Sequence, residues 1–429
     1  MVACSTLKKS TCSDPSCQWI RRKGCKSICP IGSVLNPITN KCQKVNANGK
    51  KNESLSTIAI HHHLIDYGAY GCIITPPISQ EHFLLDKYIE YNDQNVNDIS
   101  KLFIKGKRTF ENELKILIRI QKIDPYGIFT LKLKGANKIN KESLKNSNST
   151  ISCLKGEKNN YFQIIMENGG VRAEYAPVMS YETFLKMFVQ FLKGLLIMQG
   201  NDIVHCDIKP GNVLVLNNKL NLIDFGLSDN SDKIYISSKH FILHGEYKYY
   251  PPEFTIADFM IRHSKELDSN YSKFIEIIDN IEKIAFRLGI FSQSYVVNDD
   301  KLSENYHRGI KAFGEAIKMK GYTKVKQIFS SELAFKADVF SLAYIIAVLN
   351  KKINFTSDRQ KRFVSYIYDR CINANPYDRI SMFNLYNVLK KEIEHNKNNK
   401  TIVGGSDPVK ESYLDSVSDT DNYATPQKY

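Results

Sequence analysis

The sequence has no apolar run of bilayer length; its longest, around residues 343–349, is far too short to cross a membrane. Residues 1–10, MVACSTLKKS, lack the apolar core of a secretory leader. Six of the ten cysteines (Cys4, Cys12, Cys17, Cys25, Cys29 and Cys42) crowd into the first 42 residues, yet no Cys-x-x-Cys pair occurs among them. That spacing argues against a zinc ribbon. Acidic residues are also scarce, 45 against 59 lysines and arginines, for a net charge of +14. Such a balance implies acidic partners, but no nucleic-acid fold signature accompanies it, so sequence-specific nucleic-acid binding is not expected.

What the chain does have is concentrated in residues 205–226, HCDIKPGNVLVLNNKLNLIDFG. Asp207 is a candidate base, Lys209 a cation two positions on, Asn212 an amide five positions on, and Asp224–Gly226 an Asp-Phe-Gly turn. Phosphoryl transfer needs such a set, because its barrier is lowered by positioning and by neutralising charge. Between the two clusters, VLVLNNKLNLI alternates two apolar strands around an Asn-Asn-Lys turn, a hairpin pattern. A hairpin returns its ends to one place, so Asn212 and Asp224 can share a metal across twelve positions (224 − 212). The stretch resembles the catalytic loop and metal-binding turn of protein kinases.

The rest follows the order of that family. HHHLIDYGAYGCIIT (61–75) resembles its glycine-rich loop, with Asp66 in place of the first glycine. The resemblance implies nucleotide contacts from Asp66, Gly68, Ala69, Tyr70, Gly71 and Ile73. A lysine for the α- and β-phosphates should follow. Lys101, Lys105 and Lys107 are available, and Lys101 is preferred because an apolar Leu-Phe-Ile run follows it, as a buried strand requires. Its partner should lie on the next helix, where Leu114, Leu117, Ile118 and Ile120 form an apolar stripe; Glu113 is preferred, Glu111 the alternative. YFQIIMENGGVR (161–172) resembles the hinge between kinase lobes, with Ile165 guarding the rear pocket and Met166, Glu167 and Asn168 facing adenine. Residues 184–205 have helical periodicity and run into the catalytic loop. Downstream, Pro251-Pro252-Glu253 resembles the close of an activation segment, Asp338 the acceptor of catalytic-loop amides, and Arg379 the partner of Glu253.

Two departures stand out. Cys206 takes the place of the family's arginine, which grips a phosphorylated activation loop, so activity without that phosphate is expected. A buried apolar cysteine is expected there rather than a nucleophile. From Glu253 to Asp338 is 85 positions (338 − 253), long for the family, with helical stretches at 273–291 and 308–322.

ICPIGSVLNPITNKC (28–42) resembles the two-cysteine adaptor domain of large DNA viruses, which would pair Cys29 with Cys42. The catalytic part likewise resembles the serine/threonine kinases of that viral group. A cytosolic location would keep the cysteines reduced, while a virion interior could oxidise them. Seven lysines between 132 and 158, against Glu142 and Glu157, read as a solvated loop, and 394–429 as a disordered tail.

The expected architecture is α+β: a bilobal protein-kinase fold with a β-rich small lobe and an α-rich large lobe. The expected division is a Cys-rich module at 1–45, a linker at 46–57, a kinase domain at 58–395 with a helical insertion at about 256–332, and the tail from 396. The expected function is a serine/threonine protein kinase using ATP and Mg2+, with Mn2+ as a substitute metal. Asp207 and Lys209 would be catalytic, and Asn212 and Asp224 metal ligands. Protein substrates, and virion or host proteins met through the adaptor, are the expected partners, in the virion or host cytoplasm. A pseudokinase scaffold and a small-molecule phosphotransferase are the rival readings.

Overall fold

The computed structural model describes residues 17–20, 24–27, 33–35, 42–44, 63–67, 71–78, 97–103, 106–140, 160–235, 249–288, 300–329 and 331–401. The chain divides into two compact units, Met1–Ile58 and Ala59–Tyr429. In the first, Cys17–Ile20 pairs antiparallel with Gly24–Ser27, and Ser33–Leu35 with Cys42–Lys44. The side chains of its cysteines, the expected Cys29–Cys42 pair included, lie outside the described residues.

The second unit begins with a five-stranded antiparallel sheet built from β1 (His63–Tyr67), β2 (Gly71–Thr75), β3 (Ile99–Phe103), β4 (Leu133–Asn140) and β5 (Asn160–Met166). Their order is β1-β2-β3-β5-β4. Gly71 is needed where β2 meets β3, since a Cβ there would lie 1.8 Å from the Leu102 carbonyl oxygen. Every residue of β3 is buried, Lys101 included. Helix α1 (Lys107–Ile123) covers the sheet with Phe110, Leu114, Leu117 and Ile120, a helical stripe in which Glu113 is the one charged member. Phe110 stacks on Phe162 with ring centres 5.0 Å apart.

The loop after α1 is fastened beneath. Asp124 accepts from the backbone amides of Ile128, Phe129 and Thr130. The Phe129 ring then lies against Gly194 of α2 (Tyr181–Gly200), where a Cβ would come within 2.1 Å of it. Strand β6 (Val213–Leu216) returns through Asn217 and Asn218 as β7 (Lys219–Leu222). Both asparagines are left-handed, φ 51 and 58, as a two-residue turn between twisted strands requires. Lys219, expected in the turn, is the first residue of the return strand.

The remainder is helical. α3 (Pro252–Arg262) opens the long link, followed by helices Ser264–Ser269, Tyr271–Asp279, Ile281–Arg287, Asp300–Met319 and Val325–Ile328. The stretch read as one helix at 273–291 breaks at Asn280, whose side-chain amide turns back to the Glu276 carbonyl at 2.9 Å. Helix α4 (Ser331–Asn350) is the centre of the lobe; Leu333, Ala337, Phe340, Leu342, Ile345 and Leu349 are all buried. After α5 (Asp358–Cys371), α6 (Met382–Thr401) runs past residue 394, where the tail was expected to begin. Its buried face includes Glu392, two residues short of that point, which receives Arg359, Tyr181 and Asn396 in place of apolar contacts. The second unit therefore has a β-rich small lobe and an α-rich large lobe. No helix among the described residues is long and apolar enough to cross a membrane.

Candidate active site

The buried strand β3 and the charged position of α1 meet. Lys101 Nζ donates to Glu113 Oε1 and Oε2 at 2.8 Å each, and to Asp224 Oδ1 at 2.7 Å. Lys101 and Glu113 are 12 positions apart, Asp224 another 111 beyond (123 − 12). Burial alone would discharge the lysine, but the two carboxylates outweigh it and hold its pKa above the usual value. One ammonium shared by two acids leaves an excess negative charge. The deeper carboxyl yields: burial pushes Glu113 up to about 7, with repulsion from Asp224 adding to it. Burial opposes ionisation of Asp224 too, yet Lys101 wins and its pKa falls below the usual carboxylate value.

The catalytic loop is anchored from below. Asp338 of α4 accepts the amides of His205 at 2.8 Å and Cys206 at 2.9 Å. These bonds hold Cys206 left-handed at φ 63, a conformation that costs a β-substituted residue about 1–3 kcal/mol. Its side chain is buried. His205 accepts the Asp207 amide at Nδ1 (3.2 Å), while Nε2 lies 3.2 Å from the Ile223 carbonyl oxygen. The ring must then be neutral with its proton on Nε2, in keeping with burial, which pushes its pKa down to about 4.

Asp207 is 6% exposed and held from two sides. Lys209 Nζ lies 2.8 Å from its Oδ2, and Asn212 Nδ2 donates to the same oxygen at 2.8 Å. The hairpin closes the circuit, since the Ile223 amide donates to the Asn212 carbonyl at 3.0 Å. Asp224 follows in the left-handed region, φ 64, as the second residue after the strand. Asn212 spends its amide nitrogen on Asp207, so its amide oxygen is the atom left to face a cation. Among the described residues no group of three or more His, Cys, Asp or Glu could hold a metal. The donor set here is instead one carboxylate and one amide, hard oxygens that suit Mg2+ completed by phosphate and water.

Other expected residues are placed as follows. Ile73 is half-buried on β2, and Ile165 is buried on β5. At the hinge, Met166 ends β5, while Glu167 is tied to Lys132: its amide donates to the Lys132 carbonyl at 3.2 Å, and its Oε1 accepts the Lys132 amide at 3.1 Å. Asn168 Oδ1 accepts the Gly170 amide at 2.9 Å. Lys107 pairs with Glu111 on the solvent face of α1, away from Asp224. Gly68, Ala69, Tyr70 and Lys105 lie outside the described residues, as do Ser237, Ser238, Lys239 and Lys248.

Two pairings had no sign in the sequence. The carboxylate of Asp66 is ion-paired with Arg172, just past the hinge. Arg119 of α1 donates Nη1 to Asn230 Oδ1 at 2.7 Å and Nη2 to the Asn201 carbonyl at 3.0 Å. Each joins residues about a hundred positions apart, so no local pattern announces it. Farther from the cleft, Arg379 grips both oxygens of Glu253 at 2.6 and 3.0 Å, both side chains fully buried.

The general profile of the protein kinase domain matches residues 141–270. A protein of Acanthamoeba polyphaga mimivirus, provisionally named a serine/threonine-protein kinase, is 48% identical over 48 residues, 11% of this chain and 17% of its own length. The serine/threonine-protein kinase CAK1 of Saccharomyces cerevisiae is 25% identical over 138 residues, 29% of this chain and 32% of its own. The chain thus spans less than a third of either relative. With the profile match and the two lobes together, the fold is that of a protein kinase, a domain type that generally uses ATP and a divalent metal.

Proposed function

We propose that this chain is a serine/threonine protein kinase that transfers the γ-phosphoryl group of ATP to protein hydroxyls. The observation that carries the reading is the meeting of Glu113, Lys101 and Asp224 beside a loop that holds Asp207, Lys209 and Asn212 in hydrogen-bond contact. Lys101 would hold α- and β-phosphate oxygens, and Asp224 with Asn212 would hold Mg2+, which neutralises charge on the phosphates. Asp207, its carboxylate fixed by Asn212 and Lys209, would accept the hydrogen bond of the attacking hydroxyl and then its proton at a carboxylate oxygen. Lys209 Nζ, already at that carboxylate, would balance charge on the transferred group.

The finer reading is a viral enzyme carried in the particle, reaching virion or host proteins through residues 1–45. Its support is the Cys29–Cys42 motif and the likeness to the mimivirus protein. Mass spectrometry of purified particles would detect the chain; its absence there sinks this part alone.

Radiolabelled ATP, offered with a generic basic protein and with a panel of small-molecule acceptors, tests the activity. Label on protein serine and threonine that disappears with Asp207→Asn is expected. Label only on small molecules would make the chain a small-molecule phosphotransferase, and label nowhere a scaffold.

A further inference from the structure

Glu113 sits on a helix of the small lobe, and one ion pair does not set the angle of a helix to the other lobe. The apolar stripe seats α1 on the sheet and Gln121 bonds it to the Leu131–Leu133 segment, and all of these contacts lie within the small lobe. A second anchor stands six residues on from Glu113, about 9 Å along the axis. There Arg119 reaches out of the small lobe and donates to Asn230 Oδ1 and to the Asn201 carbonyl. Both acceptors are themselves immobilised. Asn201 caps the C-terminus of α2, its amide bonded to the Ile197 carbonyl at 3.2 Å. Asn230 lies in a segment stapled to residues 202–205, just ahead of the catalytic loop. The Val204 and Asp229 backbones exchange bonds at 2.9 and 3.2 Å, the Ser228 hydroxyl donates to the His205 carbonyl at 3.1 Å, and Ser231 bonds Asp202 Oδ1 through its amide at 3.1 Å.

We infer that Arg119 is a positioning residue: it locks α1 onto the large lobe so that Glu113 is held against Lys101 without any phosphate on the activation segment. The inference rests on the kinase reading of the site. Cys206, which carries no charge, gives the catalytic loop nothing at that position with which to grip such a phosphate. Arg119 supplies a fastening of a different kind, made from a guanidinium, a side-chain amide and a carbonyl, each part of the folded chain. Two bonds from one planar group also set the roll of the helix, which a single contact would not.

The test uses the full chain with Arg119→Ala, Arg119→Lys, Glu113→Gln and the Glu113→Gln/Arg119→Ala double variant. Loss of two charge-assisted bonds should lower kcat about tenfold in Arg119→Ala. Arg119→Lys should recover part of that rate. In the Glu113→Gln background the same alanine should change kcat less than about twofold, because the two act through one contact. Independent, multiplying effects would overturn the inference, as would a wild-type rate in Arg119→Ala. Hydrogen exchange read at residues 107–123 gives an arm that needs no activity. It should quicken about tenfold in Arg119→Ala while β5 is unchanged, and unchanged exchange in α1 would also overturn it. A wild-type chain that transfers no label but whose α1 loosens in Arg119→Ala would fault the kinase reading and leave the lock standing.

Discussion

Two of the charge sets buried in the second unit are built on opposite principles. Beneath the cleft, Glu253 and Arg379 cancel each other, and all three guanidinium nitrogens are hydrogen-bonded. Beyond the two bonds to Glu253, Arg379 donates to the Lys336 and Asn373 carbonyls at 2.9 Å each, and its guanidinium lies 4.9 Å from the Phe340 ring centre. In the cleft, Lys101 faces two carboxylates and cancels only one. Asp224, 29% exposed at its side chain, is left with charge to offer. A closed pair has nothing to give a ligand. The open triad carries a negative charge that a cation would offset. Burial of charge alone therefore does not mark a site; the imbalance does.

The sharpest break in this comparison comes from removing one acid at each place. Asp224→Asn should lower phosphoryl transfer on the order of a thousandfold, about 4 kcal/mol in the barrier, while calorimetry shows a melting temperature equal to or above wild type. A lower melting temperature would mean that the triad is structural after all. Glu253→Ala should do the reverse. It leaves a guanidinium in a dry core, at a cost of about 3–5 kcal/mol, read as a lower urea midpoint. Replacing both Glu253 and Arg379 by methionine should cost less than either single change.

His205 sits between the two sets and sharpens the contrast through pH. Its folded pKa of about 4 lies below the ordinary 6.5. Between those values the unfolded chain binds the extra proton, so the His205 contribution falls as pH falls through that window, by about 3 kcal/mol in full. Glu113 and Asp338, each pushed up to about 7 by burial, take up protons in the fold over the same window and act the other way. The His205 share is therefore a difference: between pH 7 and pH 5 the urea midpoint should change less favourably in the wild type than in His205→Asn. The smallest effect should come from phosphate. Phosphatase treatment, or alanine at Ser237 and Ser238, should change the rate less than about twofold. A loss of about a hundredfold, near 2.7 kcal/mol, would show that Lys239 or Lys248 grips a phosphate there.

What the sequence disclosed follows from how locally each residue is specified. Asp207, Lys209, Asn212 and Asp224 sit on one loop and one hairpin, so their spacing is their geometry. Glu113 was visible as an acid one turn before Leu117 of the apolar stripe, and Lys101 as a lysine ahead of an apolar run. Arg119 and Arg172 were not visible, because their partners are 111 and 106 positions away and belong to other elements. The extent of α6 was hidden for a different reason. Residues 395–401, HNKNNKT, hold no apolar side chain, so no stripe marks the last turns of the helix.

The turn at Asn217 and Asn218 also determines where this chain can tolerate change in length. Two residues with no slack set the register of β6 on β7, Val213 opposite Leu222. One residue added there would slide the return strand by one position, turn each of its side chains to the other face, and carry Asp224 away from Asn212. The 85-position link from Glu253 to Asp338 carries no such demand, since both its ends are pinned by their own bonds to the lobe. Lineages of this protein should therefore accumulate insertions and deletions in the link and none in the turn.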